Sequence, residues 1–418
     1  MKILYLCLDR GIPVLETKGA AVHVRSMVAA LQRAGHEVTL VAQRLTSGDG
    51  TGAEVDVRVR AVAVDDTIRT AVARLREVDA FVQGSTGIVN EVRRLLYNGT
   101  VVETLLPELE RDPPDAIYER LSLLGTAGAD LAQRLHVPHL VEANAPLSVE
   151  SAAYRRLQLA DLARRVERQV LVGATAVLAV SQSVRDHAIA LGADPGRVHV
   201  VPNGIDADLF VPRAHDPQAR RSLGAQPGEV LLGFVGGLRP WHGVEVLPDL
   251  LARLITKGAP VRLVIAGDGP LSKTLRDAFT ARGLAAHVRF TGSIAHDEIA
   301  ALVSQLDIAL APYPPLDHAF YFSPLKLFEY MGAGTAVVAA RIGQIEEVVQ
   351  DGVTGLLYPP GDFDALEACC RRAIDDAELR LAMGRAAAEH VHASYTWDHN
   401  ARRVAGLAAT AGGETDAA

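Results

Sequence analysis

Short apolar runs rich in β-branched residues alternate, from one end of the chain to the other, with longer stretches whose apolar residues recur at helical spacing. KILYLCL, EVTLVAQ, VDVRVRAVAV, AIYE, PHLVEAN, TAVLAV and RVHVV form one series of strands, and VLLGFVGG, VRLVIAG, HVRFTG, DIALAPY and TAVVAA form a second. This alternation is the signature of parallel α/β architecture, because parallel neighbours need a crossover long enough to hold a helix. A chain of 418 residues also exceeds what one hydrophobic core usually serves. The two series therefore predict two domains, residues 1–206 and 229–396. Residues 207–228, rich in Pro, Arg, Asp and Gln and without a long apolar period, read as the linker between them. Residues 397–418 read as a C-terminal helix that packs back on the first domain, followed by a disordered tail.

Composition removes several function classes. A hydrophobic content of 49% with 22% charged residues is ordinary for a soluble globular protein, and a net charge of -8 gives no reason to expect nucleic acid as a partner. No run approaches the roughly 18 apolar residues that cross a bilayer. MKILYLCL is too short for a signal-peptide core, since Asp9 and Arg10 interrupt it, and reads as a buried first strand. Three cysteines, two of them adjacent at Cys369 and Cys370, suggest neither a disulfide framework nor a zinc site. A reduced, cytoplasmic setting follows. The basic stretch YRRLQLADLARRVERQV reads as a solvated amphipathic helix, with an anionic membrane surface as the alternative.

Each half opens with a buried strand, a glycine-containing loop and a helix, and in doubly wound sheets such a loop lies at the carboxyl edge where ligands bind. Neither loop contains G-x-G-x-x-G, which counts against a dinucleotide oxidoreductase. Within FYFSPLKLFEYM, Ser323 reads as a helix N-cap with Pro324 in the first helical position, so Lys326 falls in the first turn. A cation there opposes the positive end of the helix dipole, at a cost of up to about 1 kcal/mol. An anion docked at the same place would turn that cost into a gain.

The ordered set PNGIDADLF, GGLRPWHG, VIAGDGP, VRFTG, SPLKLFEYMGAG and IEEVVQDGVTGLLYPPGD resembles the family 4 glycosyltransferases of the GT-B fold, over roughly residues 1–400. The resemblance implies two doubly wound Rossmann-like domains facing each other across a cleft. It also implies retaining transfer of a hexosyl group from a nucleotide-diphosphate sugar, held mainly by the C-terminal domain, to a small-molecule or glycan acceptor held mainly by the N-terminal one. On that basis Lys326 and Arg239 stabilise the departing diphosphate, and Glu329 accepts hydrogen bonds from the nucleotide ribose. An i,i+3 ion pair between Lys326 and Glu329 on a solvated face is the competing reading. Gly19, Gly236, Gly237, His242, Gly267, Thr291, Gly292, Tyr321, Ser323, Pro324 and Leu325 complete the expected donor site.

Two departures from the family pattern stand out. The commoner form has an arginine directly after the first loop glycine and a lysine before the glycine that opens the helix, where this chain has Gly237 and His242. His242 either donates to a phosphate or packs beside Trp241. The first glutamate of the usual E-x7-E is replaced by Tyr321, which points to a changed donor sugar or a changed grip on its hydroxyls.

On the acceptor side Ala20 and His23 follow Gly19, while Glu119, Arg120, Glu142 and Asn144 sit where strands end. No metal or resident cofactor is expected, and the D-x-D-like tripeptide at 206–208 reads as a chance match with a structural role. Front-face substitution, with the leaving phosphate taking the acceptor proton, is the mechanism the resemblance implies. A nucleotide-sugar epimerase of the same fold, or a binding protein that has lost transfer, are the alternatives.

Overall fold

A computed structural model of the chain describes residues 1–16, 19–46, 57–82 and 88–415, the last five by backbone alone. It forms two compact units, Met1–Pro202 with Trp397–Ala418, and Asn203–Thr396.

The first unit is built on β1 (Lys2–Cys7), β2 (Glu37–Ala42), β3 (Arg58–Ala61), β4 (Ala116–Arg120), β5 (His139–Ala143), β6 (Ala176–Ala179) and β7 (Val198–Val200). They lie in the order β3-β2-β1-β4-β5-β6-β7, every pair parallel. The second is built on β8 (Val230–Val235), β9 (Val261–Ala266), β10 (Val288–Gly292), β11 (Ile308–Ala311), β12 (Ala336–Ala340) and β13 (Leu356–Tyr358). Their order is β10-β9-β8-β11-β12-β13, again all parallel. Strands covered by helices on both faces have no polar side to present, and β8 and β12 are buried at every position. The strand order reverses between β1 and β4 and between β8 and β11. Connections leave these points in opposite directions and open a crevice at the carboxyl ends.

The chain divides after Pro202, so all of the PNGID segment but its proline belongs to the second unit. Ile205 donates its amide to the Tyr395 carbonyl at 2.9 Å. The expected linker 207–228 is likewise part of that unit, because its charged residues have specific partners. Arg220 reaches the Gln305 carbonyl and the Asp307 carboxylate, each at 2.7 Å, and Asp216 caps a short helix, Pro217–Ser222, with Pro217 in its first turn. The residues that look like linker punctuation are caps and anchors. Among the described residues the third strand is confined to Arg58–Ala61, shorter than the apolar run around it. β13, three residues between Gly355 and Pro359, has no counterpart among the strand runs expected from the sequence.

The helix Trp397–Thr415 lies in the first unit, where Trp397 is buried with its ring edge-on to His23 at 4.7 Å. Arg33 pairs with Asp398 at 2.8 Å, and Asn400 donates to the Pro202 carbonyl at 2.7 Å. The tail expected beyond it lies outside the described residues. No described helix is long and apolar enough to cross a membrane.

Candidate functional site

In the second unit, three loops leaving the carboxyl edge are stitched together by backbone hydrogen bonds. Gly236, after β8, donates to Ala266 at 2.8 Å; Gly267, after β9, donates to Gly292 at 2.8 Å; Leu238 donates to Asp268 at 3.0 Å. The first loop is pinned to the helix Leu325–Gly332 by Tyr330, whose buried hydroxyl accepts from the Val235 amide at 2.7 Å and donates to its carbonyl at 3.2 Å. Close approach demands glycine at two points. Gly236 has φ 140° and a Cβ there would stand 2.9 Å from Lys326 Nζ, while a Cβ on Gly267, at φ 127°, would stand 2.1 Å from the Gly236 carbonyl oxygen.

The helix Leu325–Gly332 begins one residue later than its sequence suggests. Pro324, not Ser323, is the N-cap, and no side chain caps the first turn. Ser323 is otherwise engaged: its hydroxyl accepts from the Asn203 amide at 2.8 Å and its carbonyl accepts from Asn203 Nδ2 at 2.6 Å. Lys326 remains in the first turn, with Leu325 just before it. Its Nζ is buried and has no hydrogen-bond partner among the described residues. It lies 4.4 Å from the centre of the Phe234 ring and 5.5 Å from that of Tyr313. Burial pulls its pKa down from 10.5 to about 7, against the opposing pull of Glu329.

Glu329 is also buried, and its carboxylate meets His296 Nε2 at 3.0 Å rather than the ammonium. A solvated ion pair between Lys326 and Glu329 is thereby excluded. His296, whose ring lies 5.3 Å from that of Phe210, was not visible as a site residue in the sequence. It stands four positions past Gly292 in a segment with no recognisable pattern of its own.

His242 is held through one ring nitrogen and packs among aromatic rings. Nδ1–H donates to the Gly237 carbonyl at 2.5 Å, and the ring lies about equally far from Phe234, Trp241 and Tyr313, at 6.1, 6.1 and 5.8 Å. Burial, then the Lys326 charge, push its pKa down to about 3, so the ring is neutral at neutral pH. Arg239 is exposed, with its guanidinium 5.1 Å from the Trp241 ring centre. The Thr291 hydroxyl bonds to the Gly292 carbonyl at 2.9 Å. Tyr321 is 6% exposed, stacked on His318 at 5.7 Å and packed on Phe322 at 4.4 Å, so most of its ring is spent on neighbours. Asp206 caps the turn at Asp208 and Leu209, at 3.0 and 3.2 Å.

In the first unit, three of the acceptor-side residues converge on the carboxylate of a fourth, Glu142. Parallel register sets Arg120 beside Glu142. Glu142 Oε1 accepts from Arg120 and Asn144, each at 2.5 Å, and Oε2 meets His23 Nε2 at 2.8 Å and the Tyr118 hydroxyl at 2.5 Å, with Tyr5 further off at 3.4 Å. Burial alone would raise its pKa, yet His23, Arg120 and these hydrogen bonds hold it well below the usual carboxylate range. Every acceptor position on Glu142 is committed and the residue is buried. Glu119 points to the opposite face of the sheet, as strand alternation requires. There its Oε2 meets His139 at 2.9 Å and the residue is fully buried, while Oε1 has no hydrogen-bond partner among the described residues. Gly19 and Ala20 open the helix Gly19–Arg33 that carries His23.

Known proteins share this architecture. The profile of a family described as "Glycosyl transferases group 1" matches residues 229–376, and that of "Glycosyl transferase 4-like domain" matches residues 18–204. A D-inositol 3-phosphate glycosyltransferase from Corynebacterium efficiens is 29% identical over 374 residues, 85% of this chain and 86% of that protein. One of the same name from Jonesia denitrificans is 30% identical over 314 residues, 71% of this chain and 72% of its own. Among solved structures, Anabaena HepE in complex with UDP superimposes with a TM-score of 0.71 at 21% identity, covering 98% of this chain and all of that one. Two doubly wound units, each with loops gathered at its switch point, define the GT-B class. The chain belongs to the family 4 glycosyltransferases.

Proposed function

We propose that the chain is a retaining, metal-independent hexosyltransferase whose second unit holds a nucleoside-diphosphate sugar and whose first unit holds the acceptor. One observation carries this reading: a lysine amine buried without a hydrogen-bond partner among the described residues, in the uncapped first turn of a helix, against a glycine that lets backbone come close. Such a group lacks acceptors, and a diphosphate supplies them. Lys326 and the first-turn amides take the phosphate oxygens, with Arg239 swinging in from the surface. Glu329, oriented by His296, accepts from two vicinal ribose hydroxyls. The loops at Gly237, Gly267, Thr291 and Gly292 approach the nucleotide by backbone.

In the reaction the bond from the anomeric carbon to the phosphate oxygen breaks, and the bond to the acceptor oxygen forms on the same face. The acceptor proton passes to the departing phosphate oxygen. The protein's contribution is electrostatic, since charge growing on the diphosphate meets a fixed cation and fixed amide dipoles in a site sheltered from water. Because Anabaena HepE was solved with UDP, UDP-sugars are the first donors to try; because the relatives are named for D-inositol 3-phosphate, it is the first acceptor.

The test incubates the chain with a panel of UDP-, GDP- and ADP-sugars, with and without this acceptor, in the presence of a chelator. Product is followed by mass, and its anomeric configuration by proton coupling. Acceptor-dependent product with retained configuration supports the proposal. A donor isomerised without acceptor would make the chain an epimerase, and donor binding with no turnover across an acceptor panel would make it a binding protein.

A further inference from the structure

Five arginines surround one cavity of about 410 Å³ in the first unit: Arg10, Arg44, Arg69, Arg76 and Arg93. They come from four separate parts of the chain. Arg10 and Arg44 follow β1 and β2 within three residues of the strand ends, at the carboxyl edge. Arg69 and Arg76 lie on the helix Asp66–Phe81, and with Val72 between them they form one stripe down a single face. Arg93 lies on the helix Ile88–Leu109. In a protein of net charge -8 such a concentration is not a by-product of basic composition.

Among the described residues the charge is compensated in part: Arg44 has an interaction of its own and Arg69 has a carboxylate. No carboxylate is among the residues described as lining the cavity. Asp66 pairs with Arg69 at 2.7 Å, and Asp9 reaches Arg94 at 3.8 Å. Arg93 Nε is buried with no hydrogen-bond partner among the described residues. Burial, then the neighbouring Arg10 and Arg94, draw the Arg93 pKa down to about 10, which leaves it a cation at neutral pH but a costly one. An unpaired buried donor among like charges costs free energy unless an anion occupies the site. Planar guanidinium forks from several directions match the oxygens of a phosphate, and the cavity has the size of a small-molecule pocket. Val64 and Val72 supply an apolar wall suited to a ring carbon face.

We propose that this cavity binds a phosphomonoester borne by the acceptor. The inference rests on the reading that the first unit holds the acceptor. It is tested by binding, not turnover, so the two fail separately.

The full-length chain is titrated calorimetrically with D-myo-inositol 3-phosphate and with myo-inositol, at low and at physiological salt. Vesicles containing phosphatidylinositol 4-phosphate form a parallel arm. The same titrations are run on Arg76→Ser, an exposed helix position, and on Arg76→Ser/Arg93→Gln, with UDP binding and the melting curve as controls of the fold. The soluble phosphate should bind at least about tenfold tighter than myo-inositol, weaken with salt, and lose about tenfold in the single variant and more in the double. Binding confined to vesicles, and lost in the same variants, would assign the phosphomonoester to a lipid headgroup. Equal binding of phosphate and myo-inositol, or phosphate binding unchanged in the double variant, overturns the proposal. Tight phosphate binding without any sugar transfer would instead count against the function proposed above.

Discussion

Replacing Lys326 with methionine should stabilise the protein while abolishing its grip on the donor. A pKa near 7 in the fold against 10.5 in solution is a gap whose full value is about 5 kcal/mol. At pH 7 the amine is half protonated, which leaves a cost of about 4 kcal/mol, and attraction to the Phe234 and Tyr313 rings offsets about 1 to 2 of it. The methionine variant is therefore expected to gain about 2 kcal/mol in denaturant unfolding at pH 7. The sign of the pH dependence follows. Between pH 7 and 10.5 the unfolded chain holds a proton that the folded one has released, so wild-type stability rises across that window and the advantage of the variant shrinks.

A bound diphosphate reverses the shift, because an anion beside the amine favours its charged form. Donor binding should then take up about half a proton at pH 7 and about 0.9 at pH 8, read from calorimetry in buffers of different ionisation heat. The variant should show neither the uptake nor tight binding. A destabilised variant, or the same proton uptake in wild type and variant, would refute the reasoning.

Four other perturbations probe the site. His296→Ala frees Glu329 from its 3.0 Å partner, and should raise the donor KM about tenfold with kcat less affected, while shrinking the penalty for a 2′-deoxyribose donor. Gly236→Ala places a methyl 2.9 Å from Lys326 Nζ at φ 140°, and should lower both thermal stability and donor affinity. Glu142→Gln breaks a buried charge network and should cost about 3 to 5 kcal/mol at pH 7. The Glu142 pKa is depressed in the fold, so its stabilisation is present above the ordinary carboxylate range and lost as pH falls through the folded value; the wild-type advantage should narrow in acid. Finally, chelator should leave initial rates unchanged, and loss of activity restored by magnesium or manganese would defeat the metal-independent mechanism.

What the sequence conveys well is whatever a local period or a local anomaly can carry. Twelve of the strand segments announce themselves as apolar runs, and β13, three residues closed in between Gly355 and Pro359, does not. Lys326 is conspicuous because helix electrostatics disfavours a cation in that turn. Its aromatic walls are not, since Phe234 and Tyr313 look like ordinary core residues until the switch between β8 and β11 brings them to the same amine. Glu142, Arg120, Asn144 and His23 are visible as polar residues at an expected edge, but only parallel register between β4 and β5 and the placement of the Gly19–Arg33 helix turn them into one closed network.

The arginine cavity is the extreme case. Each of its five cations is ordinary where it stands, since an arginine on an amphipathic helix or in a loop calls for no explanation. The order β3-β2-β1-β4 puts the ends of β1 and β2 beside each other, and the helices before and after residue 85 then close over the same edge. Repulsion among these charges is thus created by topology, not by any one segment. Among the described residues Asp66 relieves Arg69 but the buried Arg93 Nε has no partner, so an anion in the cavity would offset a cost the fold otherwise carries, and the phosphate titration tests whether one binds.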